Sequence, residues 1–375
     1  MNTKRLLLLL GLLVLTGTIS SFAVNTSDKK PTTIDMNRGQ NIRFDDLVSD
    51  ISCLSLQQAP FDNCWHLIAY GDYYYGMVST MAGRKLVIYD KQGALVKELT
   101  FSDAWVVHSM CIVPELKELW VMSRTKIINK FKLDGTPIRR LSLPFACTNV
   151  IPAGDGEYLV YSGGSAQEKY SIEKHMMALT DFKTVTRLYL PIRGQKDSFS
   201  GCTTLSATEA GQNLYVFPPG IDTIFTYHRR DKELYPQYAL NFHGDFLPLE
   251  ELQSGERQMA RVIETNSLVY DIVSFYEVAG RLFFRLVGKR NHFCMIDLRT
   301  DSLYTFDRLF DYYDAEGPNP IVGSSAGKFY LVVREKALLD HYQNIKCSYP
   351  ALKQSLSGKS SERNGWLLIT ITLKQ

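Results

Sequence analysis

Residues 65–99 read WHLIAYGDYYYGMVSTMAGRKLVIYDKQGALVKEL. Four runs rich in aliphatic and aromatic side chains, WHLIAY, YYYGMVS, KLVIYD and ALVKEL, are separated by Gly71-Asp72, by Met81-Ala82-Gly83 and by Lys91-Gln92-Gly93. Branched and aromatic side chains suit a pleated, half-buried surface, and a glycine at each break permits the tight turn between antiparallel neighbours. The stretch therefore predicts one four-stranded meander.

The pattern recurs along the chain. DYYYGMVS, KELWVMS, GEYLVYS, QNLYVFP, GRLFFRLV and GKFYLVV align on Tyr74, Leu119, Tyr158, Leu214, Leu282 and Phe329, at steps of 45, 39, 56, 68 and 47 residues. A glycine precedes five of the six runs (Gly71, Gly156, Gly211, Gly280 and Gly327), and the second uses Pro114-Glu115-Leu116-Lys117 instead. Each run follows another strand-like run, and most precede two more. A repeat of this size is one blade of a propeller. The sixth copy ends in WLLITITLKQ and lacks a strand, whereas Asp50–Leu56, DISCLSL, is a strand without a blade. Pairing the two closes a ring and removes the exposed edges of an open array. The expectation is an all-β, six-bladed β-propeller over 44–375, closed by pairing of the N-terminal strand with the C-terminal blade, with a polar, loose leader over 24–43. A pair of β-sandwiches is the competing architecture.

Residues 1–23 carry Lys4 and Arg5, an apolar run Leu6–Leu15, and end Ser21-Phe22-Ala23. That three-part pattern predicts a secretory signal peptide cleaved after Ala23, with an uncleaved anchor as the alternative. The first cysteine is Cys53, which argues against a lipid anchor, and no later run is long enough to span a bilayer. The mature chain is thus expected to be exported and soluble, periplasmic or secreted. Its 42 Lys+Arg against 39 Asp+Glu give no field for nucleic acid. Seven cysteines cannot pair completely, and none forms a C-x-x-C. Buried free thiols are the favoured reading, with Cys53 and Cys64 the one pair to test for a bridge.

Several segments resemble a known family. IRFDDLVSDISCLSLQ (42–57), WHLIAYGDYYYGMVS (65–79) and KLVIYDKQGALVKEL (85–99) are similar to the start of exported six-bladed β-propellers common in Bacteroides, which are TolB-like or NHL-like. YPQYALNFHGDFLPLEEL (235–252) resembles their mid-chain segment, with His243 inserted before Gly244. Asn364-Gly365-Trp366-Leu367-Leu368 resembles their ending, with Gly365 in place of a proline. Many relatives carry Gly-Gln-Gly-Pro-Gly-Glu-Tyr where this chain has FSDAWVVHS (101–109), so the role of that loop does not transfer. The resemblance implies a fold and a compartment, not a catalytic residue.

Motifs for chemistry are sparse. Gly163-Gly164-Ser165 lacks the Lys-Ser/Thr of a phosphate loop, and no G-x-S-x-G or H-E-x-x-H occurs. None of the seven histidines has metal-ligand spacing with another donor. No cofactor and no metal are expected. In a propeller the innermost strands begin at the mouth of the central channel, which places His66, His108, Asn149, Thr204, Asp271 and Asn319 there. One acid among six is too few for a hard cation. The turns between second and third strands reach the same face and bring Arg84, Arg124, Lys126, Lys289, Arg290, Arg334 and Lys336. They read either as solvated turns or as a basic rim for an anionic glycan or peptide. Long segments at 162–174, 243–265 and 335–364 emerge on that face too, the last with a helical EKALLDHYQ. Tyr73-Tyr74-Tyr75 and Tyr312-Tyr313 could stack on sugar rings or pack between blades. The sequence thus favours an exported binding module. A glycan-active lyase or hydrolase using His66, His108 and Asp271, and an envelope scaffold docking a protein partner, stand as alternatives.

Overall fold

A computed structural model describes residues 30–374, apart from 60, 82, 102–106, 163–171, 193–204, 211, 248–264, 266, 290–291, 310–312, 315–320, 326, 345–349 and 358–364. The expected signal peptide lies outside the described residues. Six antiparallel sheets follow one another as blades. Blade 1 runs Asn63–Tyr70, Tyr73–Thr80, Gly83–Asp90 and Leu95–Leu99, inner to outer. Blade 2 runs Ser109–Val113, Glu118–Arg124, Ile127–Lys132 and Pro137–Ser142, and blade 3 Asn149–Gly154, Glu157–Tyr161, His175–Thr180 and Val185–Pro191. Blade 4 is Ser206–Ala210, Asn213–Phe217, Thr223–His228 and Glu233–Asn241; blade 5 is Val269–Val278, Arg281–Gly288, Phe293–Asp297 and Ser302–Phe306. Blade 6 takes Ile321–Ser325, Lys328–Arg334 and Trp366–Leu373 from the C-terminal part and Val48–Leu56 from the N-terminal part.

That last pairing closes the ring. Ile51 faces Ile371, Cys53 faces Ile369 and Leu56 faces Trp366, in an antiparallel ladder that joins the two chain ends. Packing repeats the circle. Successive side chains of a strand point to opposite faces, so every middle strand must bury both. Leu86 and Ile88 pack toward Leu119 and Val121 of blade 2, while Val87 and Tyr89 pack toward Leu368 and Trp366 of blade 6. Six such clusters occupy the six interfaces between neighbouring blades. Each buried Val, Leu or Ile adds roughly 1.5–3 kcal/mol, so stability is spread around the circle. The inner strands of blades 6 and 1 approach closely enough that a Cβ on Gly323 would lie 2.0 Å from the Leu67 carbonyl oxygen.

The segment expected to be a loose leader is ordered into the rim. Thr32–Asp35 adds a parallel fifth strand beside Tyr238–Asn241 of blade 4, and Gln40–Asn41 does the same beside Tyr304 and Thr305 of blade 5. Ile34 and Met36 are buried against Tyr238, Leu240 and Phe242. Phe44 follows, wedged 5.4 Å from Phe306 and 6.3 Å from Phe329. Outer strands offer unpaired N–H and C=O groups, and a short polar segment satisfies them with backbone alone.

The excursion after the second strand of blade 6 holds a helix at Glu335–Asn344, as its sequence suggests, and a second at Pro350–Leu356. Leu338, Leu339, Leu352 and Leu356 are buried in the cluster shared by blades 5 and 6. Most of the insert between blades 4 and 5 lies outside the described residues. Cys53 and Cys64 do not bridge: both are free thiols, as are Cys111, Cys147 and Cys294. Burial pushes the thiols of Cys64 and Cys111 up to about 12, so they behave as small apolar groups.

Candidate functional site

Strand alternation puts the starts of the inner strands and the turns between second and third strands at one mouth of the channel. Blades 6, 1 and 2 form consecutive parts of that mouth. The turn between Tyr73–Thr80 and Gly83–Asp90 raises Arg84, which is exposed and lies with its guanidinium carbon 4.4 Å from the centre of the Trp65 ring. Arg84 Nη1 donates a 3.4 Å hydrogen bond to the Val107 carbonyl at the entry to blade 2. His108 follows immediately, and its N–H donates to the Met122 carbonyl (2.8 Å). Burial and the Arg84 charge hold the His108 imidazole below its ordinary pKa. On the other side of blade 1, Arg334 sits 5.1 Å over the Trp366 ring and donates from Nη2 to the Asp62 carbonyl (3.3 Å). Phe61 packs on the same indole, 4.9 Å between centres. Two Arg–Trp stacks therefore flank the start of blade 1.

Trp65 adds a feature its sequence context did not single out. Among the described residues its indole Nε1–H is buried and meets no hydrogen-bond acceptor. An unsatisfied buried donor costs about 1–3 kcal/mol, so native proteins carry few of them.

The other channel positions divide. His66 sits beside the irregularity between Cys64 and His66 in the first inner strand. Protein packs around it, and desolvation lowers its pKa to about 4, so it is neutral at ordinary pH. Asp271, in the inner strand of blade 5, is raised to about 7 by burial, against one hydrogen bond from the Ile272 N–H (2.8 Å). Blade 6 separates the strand of Asp271 from that of His66. Asn149 is buried: its Oδ1 accepts from the Leu205 N–H (3.2 Å) and the Thr148 hydroxyl (3.2 Å), tying blade 3 to blade 4. Ser109 donates to the Thr148 carbonyl (2.8 Å) and Ser206 to the Ile272 carbonyl (3.1 Å), so hydroxyls at strand starts stitch neighbouring blades. Thr204, Asn319 and Arg290 lie outside the described residues.

The basic rim is partly engaged. Lys289 pairs with Asp245 (2.7 Å) and Lys336 with Asp340 (2.9 Å). Arg84 and Arg334 hold neighbouring blades together through carbonyls. The structure thus gathers Arg84, His66, His108 and Arg334 on one arc and leaves Asp271 apart. Among the described residues no group of three His, Cys, Asp or Glu could hold a metal.

The architecture has counterparts. Residues 23–332 match the DUF5128 family, described as a 6-bladed beta-propeller. The chain belongs to that family. Around the whole propeller, the fold is similar to that of a candidate exported protein of Bacteroides fragilis NCTC 9343, with a TM-score of 0.73 and 17% identity over 92% of this chain and 100% of that one. It is also similar to a catalytically inactive virginiamycin B lyase from Staphylococcus aureus solved with quinupristin, with a TM-score of 0.46 and 11% identity over 86% of this chain and 99% of that one. No curated protein matches the chain. Among the described residues no helix of the propeller is long and apolar enough to cross a membrane.

Proposed function

We propose that this propeller is an exported binding module whose channel mouth, along blades 6, 1 and 2, takes a carboxylate-bearing ligand such as a uronate glycan or an acidic peptide. One observation carries the reading: among the described residues the buried Trp65 N–H lacks an acceptor, on a ring whose face carries the exposed guanidinium of Arg84. A ligand carboxylate that draws Arg84 from its long bond to Val107 gains a charge-assisted contact, and a second oxygen that reaches the ring edge gives the indole N–H its acceptor. His66 and His108 stay neutral there and add polarity without charge.

Calorimetric titration with trigalacturonate, a neutral trisaccharide and a triglutamate peptide tests it. Acidic probes should bind, and added salt should weaken them. Trp65→Phe keeps the ring and removes the donor, and should weaken binding about fivefold or more, equivalent to about 1 kcal/mol. Salt-independent binding of the neutral sugar at equal affinity would refute the reading.

A second reading rests on Asp271, whose carboxyl titrates near 7 inside the channel, where a general acid or base of a glycan-active lyase or hydrolase would be poised. Turnover of a uronate polymer that survives Asp271→Asn unchanged would remove that reading.

A further inference from the structure

The outer edges of the blades are not alike. Blades 4 and 5 have theirs covered by the chain's own segments, Thr32–Asp35 and Gln40–Asn41, in parallel pairing. The outer strand of blade 6 is approached by the Gly93 turn: Gln57 N–H donates to the Gly93 carbonyl (2.8 Å), and a Cβ on Gly93 would lie 2.3 Å from the Ser55 carbonyl. In the outer strands of blades 1 and 3 one residue each is exposed. In Pro137–Ser142 of blade 2 five of six are exposed, and among the described residues no strand pairs beyond it. Two further features single out this edge. The strand carries Arg139 and Arg140 and no acid, in a blade, Ser109–Ser142, that holds seven Lys or Arg against three Asp or Glu. At the start of the strand an open groove of about 490 Å³ runs between blades 1 and 2, lined by the apolar Tyr73, Leu116, Leu133 and Ile138 and by two lysines and two acids, Glu118 and Asp134. Leu116 and Ile138 are 51% and 42% exposed, two of the four large apolar side chains so displayed among the described residues.

From these features we infer that Pro137–Ser142 is a docking edge for an extended, acidic segment of a partner protein, which adds to blade 2 as a fifth strand. Backbone groups supply pairing, as in other strand-addition complexes, and side chains supply selection. The chain itself shows the mode twice, and Thr32–Asp35 shows the chemistry. Ile34 buries beside Tyr238 and Leu240, while Asp35 accepts from His243 Nε2 (2.9 Å). On blade 2 the groove takes the apolar side chain and Arg139 faces the acid. Arg139 and Arg140 would also meet their own kind if two copies of this edge paired, and like charges on facing strands repel. The edge therefore selects an acidic partner over a second copy. The turns that frame the groove lie at the face opposite the channel mouth, so this surface is separate from the proposed ligand site.

The test uses the full chain and a fluorescent hexapeptide, Thr-Thr-Ile-Asp-Val-Glu, with a control carrying Lys for both acids. Anisotropy should show at least tenfold tighter binding of the acidic peptide. Arg139→Glu, with an unchanged thermal melt, should abolish or reverse that preference. Hydrogen exchange should slow at amides 138–142 when the acidic peptide is bound. Equal binding of both peptides, or binding without protection of those amides, would overturn the inference. So would protection that grows with protein concentration in the absence of peptide, since the occupant would then be a second copy. Trp65→Phe should leave peptide binding at this edge unchanged, so its failure and failure of the mouth site are told apart.

Discussion

Replacing Asp271 by Asn should stabilise the protein at pH 8 and leave it nearly unchanged at pH 4.5. The folded carboxyl titrates near 7 against 3.8 for an unhindered one, because ionisation inside the channel is opposed by burial. Between those values the folded chain holds a proton that the unfolded chain releases. Stability is therefore fully present below the lower value and falls as pH rises to the upper one. About three units at ~1.4 kcal/mol each give a loss of about 4 kcal/mol, an order-of-magnitude figure. His66 runs the other way. Its folded value near 4 against 6.5 means that the unfolded chain takes up the proton first as pH falls, so stability rises from pH 4 to 6.5. That gain is about 3 kcal/mol on the same conversion. The two slopes nearly cancel in the wild type, whose own pH profile would be deceptively flat. Asparagine keeps the acceptor for the Ile272 N–H and removes the ionisation. Urea unfolding of both proteins at pH 4.5 and 8 should show a stability difference larger by about 3 kcal/mol at pH 8. The same difference at both pH values would refute the placement of Asp271 in a desolvated channel wall.

Other outcomes follow from packing. His66→Gln should be more stable than the wild type at pH 4.5 and equal to it at pH 7.5, which paired urea curves would reveal. Gly323→Ala places a methyl 2.0 Å from a backbone oxygen that cannot swing away, and thermal unfolding should register a loss of about 1–3 kcal/mol or more. Ile34→Ala should cost about 2–5 kcal/mol if the first added strand is anchored as described, and a melt matching the wild type would contradict it. Peptide mapping under non-reducing conditions should find no Cys53–Cys64 link, and Cys64, Cys147 and Cys294 should resist thiol reagents until denaturant is added.

The repeat spacing carried the fold because every blade must bury two faces. Runs such as KLVIYD and RLFFRLV are apolar on both sides of the strand, and a ring is the arrangement that covers both without leaving a free sheet face. The unpaired DISCLSL strand and the incomplete last copy likewise pointed to ring closure, since a strand short at one end and a strand spare at the other satisfy one ladder. The leader was illegible for a related reason. TTIDMNRGQN has only Ile34 and Met36 to mark it, and its pairing to blades 4 and 5 runs through backbone groups that every residue carries.

At the mouth, topology could assign His66, His108, Asn149 and Arg84 to one face from strand counting alone, but not their roles. Asn149 and Thr148 proved to be ties between blades, a matter of which oxygen lies within reach of Leu205. Trp65 went unnoticed because an aromatic at the start of an inner strand looks like any packing residue. Only its position beneath Arg84, with no acceptor for its N–H among the described residues, sets it apart. The sequence by itself determined blade number, strand order and the joining of the chain ends, because these follow from periodic burial along one dimension. Tertiary structure alone decided which charges are neutralised, which thiols stay apart and which sheet edge stays open. Those depend on distances between residues far apart in the chain, and no local pattern encodes them.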